Sequence, residues 1–236
     1  MKIIAHRGAS GYAPENTMAA FDKAIEMGAY GIELDVQMSR DHEIVVIHDY
    51  KVNRTTNGIG KVRQHTIEEL RGLDAGTWFD VGFKNEPVVT LEEVFRKMPK
   101  DILINVEIKN QSKVKDDIAQ KLVEMIQKFD RQEKVIISSF DHTVLKEVHD
   151  LAPEIRLGVL LYASLVEPWR YINRMEMKIH SIHCALEYTD EIFVKESQKR
   201  GFKVYVYTVN DKVDASYLNN AGVDGIITNY PDVMTK

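Results

Sequence analysis

Eight short runs of apolar and β-branched residues recur along this chain, and the segments between them place apolar residues at helical spacing. The runs are KIIAH (2–6), GIELDV (31–36), ILINVEI (102–108), KVIISSF (134–140), IRLGVLL (155–161), IHSIHC (179–184), KVYVYTV (203–209) and DGIITN (224–229). Between them Met18, Phe21 and Ile25 share a helical face, Ile118, Leu122, Met125 and Ile126 share another, and Ala215 and Leu218 lie three apart. The first helix takes Asn16 or Thr17 as its N-cap and stops before Gly28. Strand alternating with helix implies a parallel sheet. Eight such units in 236 residues match an α/β fold of the TIM (β/α)8 barrel type, one domain over residues 1–236, with its site at the C-terminal strand ends. A doubly wound open sheet competes, but HRGASGYAPENT, after the first run, lacks the G-x-G-x-x-G spacing that would favour it.

One segment breaks the rhythm. From about Tyr50 to Val89 the chain carries turn signals (TTNGIGK), a short helical TIEELRGL and the loop-like DAGTWFDVGFKNEP before TLEEVFRKM resumes as helix. This reads as a small insertion after the second strand, on the catalytic face of a barrel, where a long loop roofs the site. Trp78 and Phe79 are read as its packing core rather than as a lid.

Charged residues occupy strand positions where a core belongs. Residues two apart on a strand point the same way, so Glu33 and Asp35 project together, as do Glu107 and Lys109. Deep in a barrel an unpaired carboxylate would cost several kcal/mol or be forced neutral, which places these groups at the rim. If Arg40 and Asp41, or Asp41 and His42, centre the hairpin turn, His48 falls across from Glu33 or Asp35 on the same face. His6 closes the first strand at equivalent height. His6, Arg7, Glu33, Asp35, His48, Glu107 and Lys109 therefore form one constellation.

Three carboxylates suit a hard divalent cation, Mg²⁺ or Ca²⁺, more than zinc. Ion pairs from Glu33 and Asp35 to Arg7 or Lys109 are the plainer alternative, and the convergence of separate strands favours the metal. Arg7 and Lys109 then neutralise an anionic substrate, and the two histidines offer a base and an acid near neutral pH. These parts describe phosphodiester cleavage. Tyr207, near the mouth, is either a substrate contact or a core tyrosine with its hydroxyl satisfied. Asn210 and Asn229 are read as helix caps. His42, His65, His142, His149, His180 and His183 are given surface or satisfied structural roles, since residues three apart on a strand face opposite sides.

Composition narrows the partners. A net charge of −5 gives no electrostatic reason to expect nucleic acid or an anionic membrane. No run of about 18 apolar residues occurs, and the first strand begins at residue 2, so no membrane insertion and a cytoplasmic location are expected. The single cysteine, Cys184, suits a reducing compartment and is read as a buried structural thiol. Oligomeric state is not legible.

The sequence resembles the glycerophosphodiester phosphodiesterases. The resemblance rests on HRG at 6–8, PENT at 14–17, ELD at 33–35, VIHD at 46–49, DAGTWF at 74–79, TLEEV at 90–94, EIK at 107–109 and DGIITNYP at 224–231, in the family's order across nearly the whole chain. It implies a TIM barrel and hydrolysis of small-molecule glycerophosphodiesters to sn-glycerol 3-phosphate and an alcohol. It also implies Glu33, Asp35 and Glu107 as ligands of one divalent cation, His6 as base, His48 as acid, and Arg7 and Lys109 on the phosphate. In such enzymes the neighbouring glycerol hydroxyl attacks phosphorus to give a cyclic phosphate that water opens. Where the family often has tryptophan before Thr-x-Asn, this chain reads YTVN from Tyr207, which puts substrate preference rather than chemistry in question. A phospholipase on the same barrel would call for apolar or basic membrane-binding loops, and a non-catalytic binding module would have lost a histidine or a ligand; neither pattern is seen.

Overall fold

The computed structural model describes residues 1–109 and 116–234. Its strands are β1 (Lys2–Ala5), β2 (Gly31–Met38), β3 (Ile44–Val46), β4 (Leu103–Ile108), β5 (Val135–Ser139), β6 (Arg156–Leu161), β7 (Ile179–Ala185), β8 (Lys203–Tyr207) and β9 (Gly225–Thr228). Its helices are α1 (Met18–Glu26), α2 (Ile67–Arg71), α3 (Leu91–Lys97), α4 (Ile118–Lys128), α5 (His142–Leu151), α6 (Pro168–Asn173), α7 (Glu191–Lys199) and α8 (Lys212–Ala221). Eight strands are parallel and close on themselves: β1 pairs with β9 on one side, Ala5 opposite Thr228, and with β2 on the other, Ala5 opposite Ile32. The expected TIM barrel is therefore the fold, and β3 is an extra antiparallel strand hung on β2.

Alternation along each strand sorts side chains between two cores. Ile32, Leu34 and Val36 of β2 pack outward with Phe21 of α1 and with Leu91, Val94 and Phe95 of α3. Facing the other way, Ile4, Leu103, Ile136, Tyr205 and Ile227 form an apolar plug inside the barrel. Polar inward residues of these and the neighbouring strands lie at its margins. One of them, His183, is fully buried and edges onto the Tyr205 ring at 5.2 Å. Its Nε2 lies 2.8 Å from Ser181 Oγ, and its Nδ1 has no hydrogen-bond partner among the described residues. The expectation of a surface or fully satisfied residue is corrected here. Gly158 makes the room: a Cβ at that position would sit 2.6 Å from His183 Nε2.

Local signals set the helix starts. Thr17, not Asn16, caps α1 by accepting from Ala20 N, and Gly28 follows the helix at φ +72°. Asp211 caps α8 by accepting from Val213 N, so Asn210 is free for another task.

The hairpin register differs from the expected one by a single residue. Val36 pairs with Val46, Gln37 with Val45 and Met38 with Ile44, because the connection is a three-residue loop with His42 in the left-handed region at φ +62°. Continued regularly, that ladder would set His48 across from Leu34 and turn it to the outer face. Instead β3 stops at Val46, and the Gln37 side-chain amide donates to the carbonyls of Ile47, His48 and Asp49 at 3.0, 3.1 and 2.8 Å. The strand's end is thus bent over the mouth.

The segment from residue 50 to 89 has its own small core. Val45, Ile47, Val52, Val62, Leu70, Ala75 and Val88 are buried together, with Ile67 and Leu73 against them. Neither Trp78 nor Phe79 joins that core, which corrects the expectation: Trp78 is 39% exposed, its Nε1 donates to Ala75 O at 2.8 Å, and its ring edges onto Phe79.

Candidate active site

The first strand delivers two groups in consecutive positions. After β1 the backbone turns sharply, with Arg7 at φ +56° and Gly8 at φ +80°. A Cβ on Gly8 would sit 2.6 Å from the backbone of Ala20, so only glycine lets the turn lie against α1. The turn aims the Arg7 backbone N–H at Glu33 Oε2, 2.8 Å away. His6 is held differently: its Nδ1 lies 2.7 Å from Asn229 Oδ1, and its Nε2 is 4.0 Å from Glu33 Oε2.

Neighbouring strands supply the acids. Register places Glu33 opposite Asn105 and Asp35 opposite Glu107, so the inward face at this level carries three carboxylates. Glu33, Asp35 and Glu107 each offer an oxygen within 4.8 Å of the others, and all three are buried. Glu33 Oε1 and Asp35 Oδ1 accept no hydrogen bond among the described residues. Buried carboxylate oxygens gathered this closely, two of them accepting no hydrogen bond, fit a hard cation with oxygen ligands, so the residues suit Mg²⁺ or Ca²⁺.

Two fixed cations flank the acids. Arg7 Nε lies 3.3 Å from Asp35 Oδ2, Lys109 Nζ lies 3.3 Å from Asp35 Oδ1, and Lys109 also pairs with Glu107. The ion pairs weighed against a metal site are thus present, yet three carboxylates against two cations leave one negative charge unbalanced. The consequence is visible in proton affinity. Burial, with Asp35 and Glu107 nearby, pushes Glu33 well above the usual carboxylate range, and burial with Asp35 pushes Glu107 up to about 7. Burial would raise Asp35 too, but Arg7 and Lys109 outweigh it and hold it down at about 2.

The two histidines have unlike surroundings. Burial and the adjacent Arg7 depress His6 to about 4, keeping it neutral. His48 stands at the mouth with its Nδ1 on Asp49 Oδ1 at 2.7 Å. Burial, Arg7 and Lys109 lower it, while Asp35 and Asp49 oppose them. His48, Asp49, Tyr50, Glu107, Lys109, Ser139, Phe140 and Asp141 line a cleft of about 250 Å³ that opens to solvent. His6, Arg7, Glu33, Asp35, His48, Glu107 and Lys109 are therefore one cluster. Tyr207 stands across the mouth with its ring edge-on to Phe140 and its hydroxyl donating to Leu161 O at 2.9 Å.

Several supporting residues escaped sequence reasoning. Asn229 is no cap; it binds His6, and its own backbone N–H is held by Asn210 Oδ1 at 2.9 Å. Asn16 grips Asp35 twice, its Nδ2 donating to Oδ2 at 2.8 Å and its Oδ1 accepting from the backbone N–H at 3.2 Å. The family motifs contained Asn16 and Asn229, but only barrel closure brings them to their partners.

A model of the glycerophosphoryl diester phosphodiesterase family matches residues 6–233. The chain is 45% identical over 233 residues to a glycerophosphodiester phosphodiesterase of Caldanaerobacter subterraneus subsp. tengcongensis, covering 98% of this chain and 95% of that one. Among solved structures, an Oleispira antarctica phosphodiesterase in complex with the product sn-glycerol 3-phosphate superposes with a TM-score of 0.93 at 30% identity, over 100% of this chain and 96% of the other. A glycerophosphodiester phosphodiesterase from Agrobacterium tumefaciens matches with a TM-score of 0.83 at 30% identity, over 99% and 98% of the two chains.

Proposed function

The chain belongs to the glycerophosphoryl diester phosphodiesterase family, and from that premise we propose that it hydrolyses glycerophosphodiesters to sn-glycerol 3-phosphate and an alcohol, with His6 and His48 as base and acid. The observation that carries this reading is the pair of histidines held on either side of three buried carboxylates. Glu33, Asp35 and Glu107 would hold one divalent cation, Mg²⁺ or Ca²⁺, which when bound supplies charge neutralisation for the phosphoryl oxygens.

The chain's own groups divide the remaining work. Arg7 and Lys109 bind the anionic phosphate, two cations at a buried mouth where electrostatic interactions are strong. The Asn229 amide oxygen accepts from His6 Nδ1–H, which leaves the lone pair on Nε2 facing the reacting centre. The Asn229 acceptor favours imidazolium only modestly, and burial with the Arg7 charge outweighs it, so His6 begins as the base and takes the proton of the glycerol hydroxyl beside the ester. That oxygen attacks phosphorus, the bond to the alcohol breaks, and His48 Nε2–H protonates the departing oxygen. Asp49 on His48 Nδ1 favours the charged imidazole needed for this donation. A cyclic phosphate results. Water opens it with the roles exchanged: His48 takes the water proton and His6 returns its own to the glycerol oxygen. Tyr207, across the mouth, contacts the organic part of the substrate through its ring.

An assay of sn-glycerol 3-phosphate release from glycerophosphocholine, -ethanolamine, -glycerol and -inositol tests this. Turnover of at least one diester, silenced by EDTA and restored by Mg²⁺ or Ca²⁺, is the expected result. Full turnover in excess EDTA would remove the metal from the account, and cleavage of none of the four would remove the activity.

A further inference from the structure

The inserted segment carries Arg54 to the mouth, and its guanidinium meets two carboxylates at once. Nε and Nη2 donate to Asp49 Oδ2 and Oδ1 at 2.8 and 2.9 Å, while Nη1 and Nη2 donate to Glu15 Oε2 and Oε1, each at 2.8 Å. Each of those acids holds a group of the proposed machinery: Asp49 binds His48 Nδ1 at 2.7 Å, and Glu15 binds Arg7 Nη1 at 2.8 Å. His48, Asp49, Arg54, Glu15 and Arg7 thus form an unbroken chain of hydrogen bonds. It joins β1's end, the loop before α1, the end of the hairpin and the insertion.

We propose that Arg54 is a positioning residue for the reaction described above, fixing the leaving-group acid His48 and the phosphate-binding Arg7 in one geometry through Asp49 and Glu15; the inference rests on that reaction. Two planar forks back to back require a guanidinium, because an ammonium is a point donor and cannot grip both carboxylates in plane. The Arg54 side chain is 43% exposed, so its ion pairs add little to stability. Its effect is therefore on geometry and appears in kinetics rather than in the melting temperature.

The test compares Arg54→Gln, Arg54→Lys and Asp49→Asn with the wild type on two diesters of glycerol phosphate. One leaves as ethanolamine, an alkoxide that needs a proton; the other leaves as p-nitrophenolate, which departs without one. For Arg54→Gln, kcat for alcohol release, read in a single turnover before the cyclic phosphate opens, is expected to fall about 10- to 100-fold on the ethanolamine diester and by less than about threefold on the nitrophenyl diester, the pattern of a weakened general acid. KM should rise by a similar factor on both, since Arg7 loses its brace. Asp49→Asn should reproduce the leaving-group-selective loss with KM unchanged, and Arg54→Lys should recover less than half of the lost kcat. Equal losses on both diesters, or no loss on either, would overturn the inference. If the wild type released sn-glycerol 3-phosphate from neither diester, the proposed function itself would have failed, a result distinct from either of those.

Discussion

Asn229 Oδ1 lies 2.7 Å from His6 Nδ1, although 223 residues separate the two in sequence. The contact exists because β9 closes the barrel against β1, placing Thr228 beside Ala5 and so the next residue of each strand at the same rim. Asn229→Ala should free the imidazole to rotate and to change tautomer. Steady-state kinetics should show a loss in kcat of about 10- to 100-fold, in the range of a misaligned acid–base group. The melting temperature should stay within a few degrees, since the residue lies outside the core clusters. Undiminished kcat would show that His6 needs no such support.

Glu107 gives the metal-free protein a pH-dependent weakness. Its carboxyl titrates near 4.5 in an unfolded chain and at about 7 in the fold, so the folded state holds the extra proton. Stability from this group is complete below pH 4.5 and is lost as pH rises through 7, by up to about 1.4 kcal/mol per pH unit. In EDTA, Glu107→Gln should gain stability relative to wild type between pH 5 and 7.5 in denaturant melts. The same variant should lose the rise in melting temperature that Mg²⁺ gives the wild type. A gap between the two proteins that does not widen with pH would contradict this.

His183 acts with the opposite sign. It titrates near 6.5 when unfolded and at about 3 in the fold, because burial penalises its charged form. The unfolded chain therefore binds the proton first, and stability is lost as pH falls from 6.5 toward 3. His183→Gln should flatten the decline in denaturant midpoint between pH 6.5 and 4.5. An unchanged decline would assign acid sensitivity elsewhere, to His6 or to His180, which burial also depresses to about 4.

Barrel architecture was legible because each inner strand is buried on both faces and reads as a near-continuous apolar run. The exceptions within those runs, Glu33, Asp35 and Glu107, were legible for the same reason: each is a charged residue inside an otherwise apolar run. The hairpin register was not, because the left-handed residue of its loop is His42, which carries no glycine or asparagine signal. Proximity of His48 to the acids was expected for the wrong reason; the side chain of Gln37 brings it there, not the ladder. Asn16 and Asn229 were read as caps and Glu15 and Arg54 were passed over, because the Asn229–His6, Asn16–Asp35 and Arg54–Glu15 contacts join segments remote in sequence. Local spacing favours a cap for any asparagine before a helix, and only strand neighbours around the closed sheet identify the true acceptor.

Diffraction from crystals soaked in Mn²⁺, recorded at the manganese absorption edge, tests the central claim most directly. One anomalous peak within coordinating distance of Glu33, Asp35 and Glu107 is the predicted result, with Lys109 displaced from at least one of its two carboxylates. Absence of a peak there, with Arg7 and Lys109 still paired to the acids, would reduce the cluster to a structural salt-bridge network and leave the two histidines without a centre to serve.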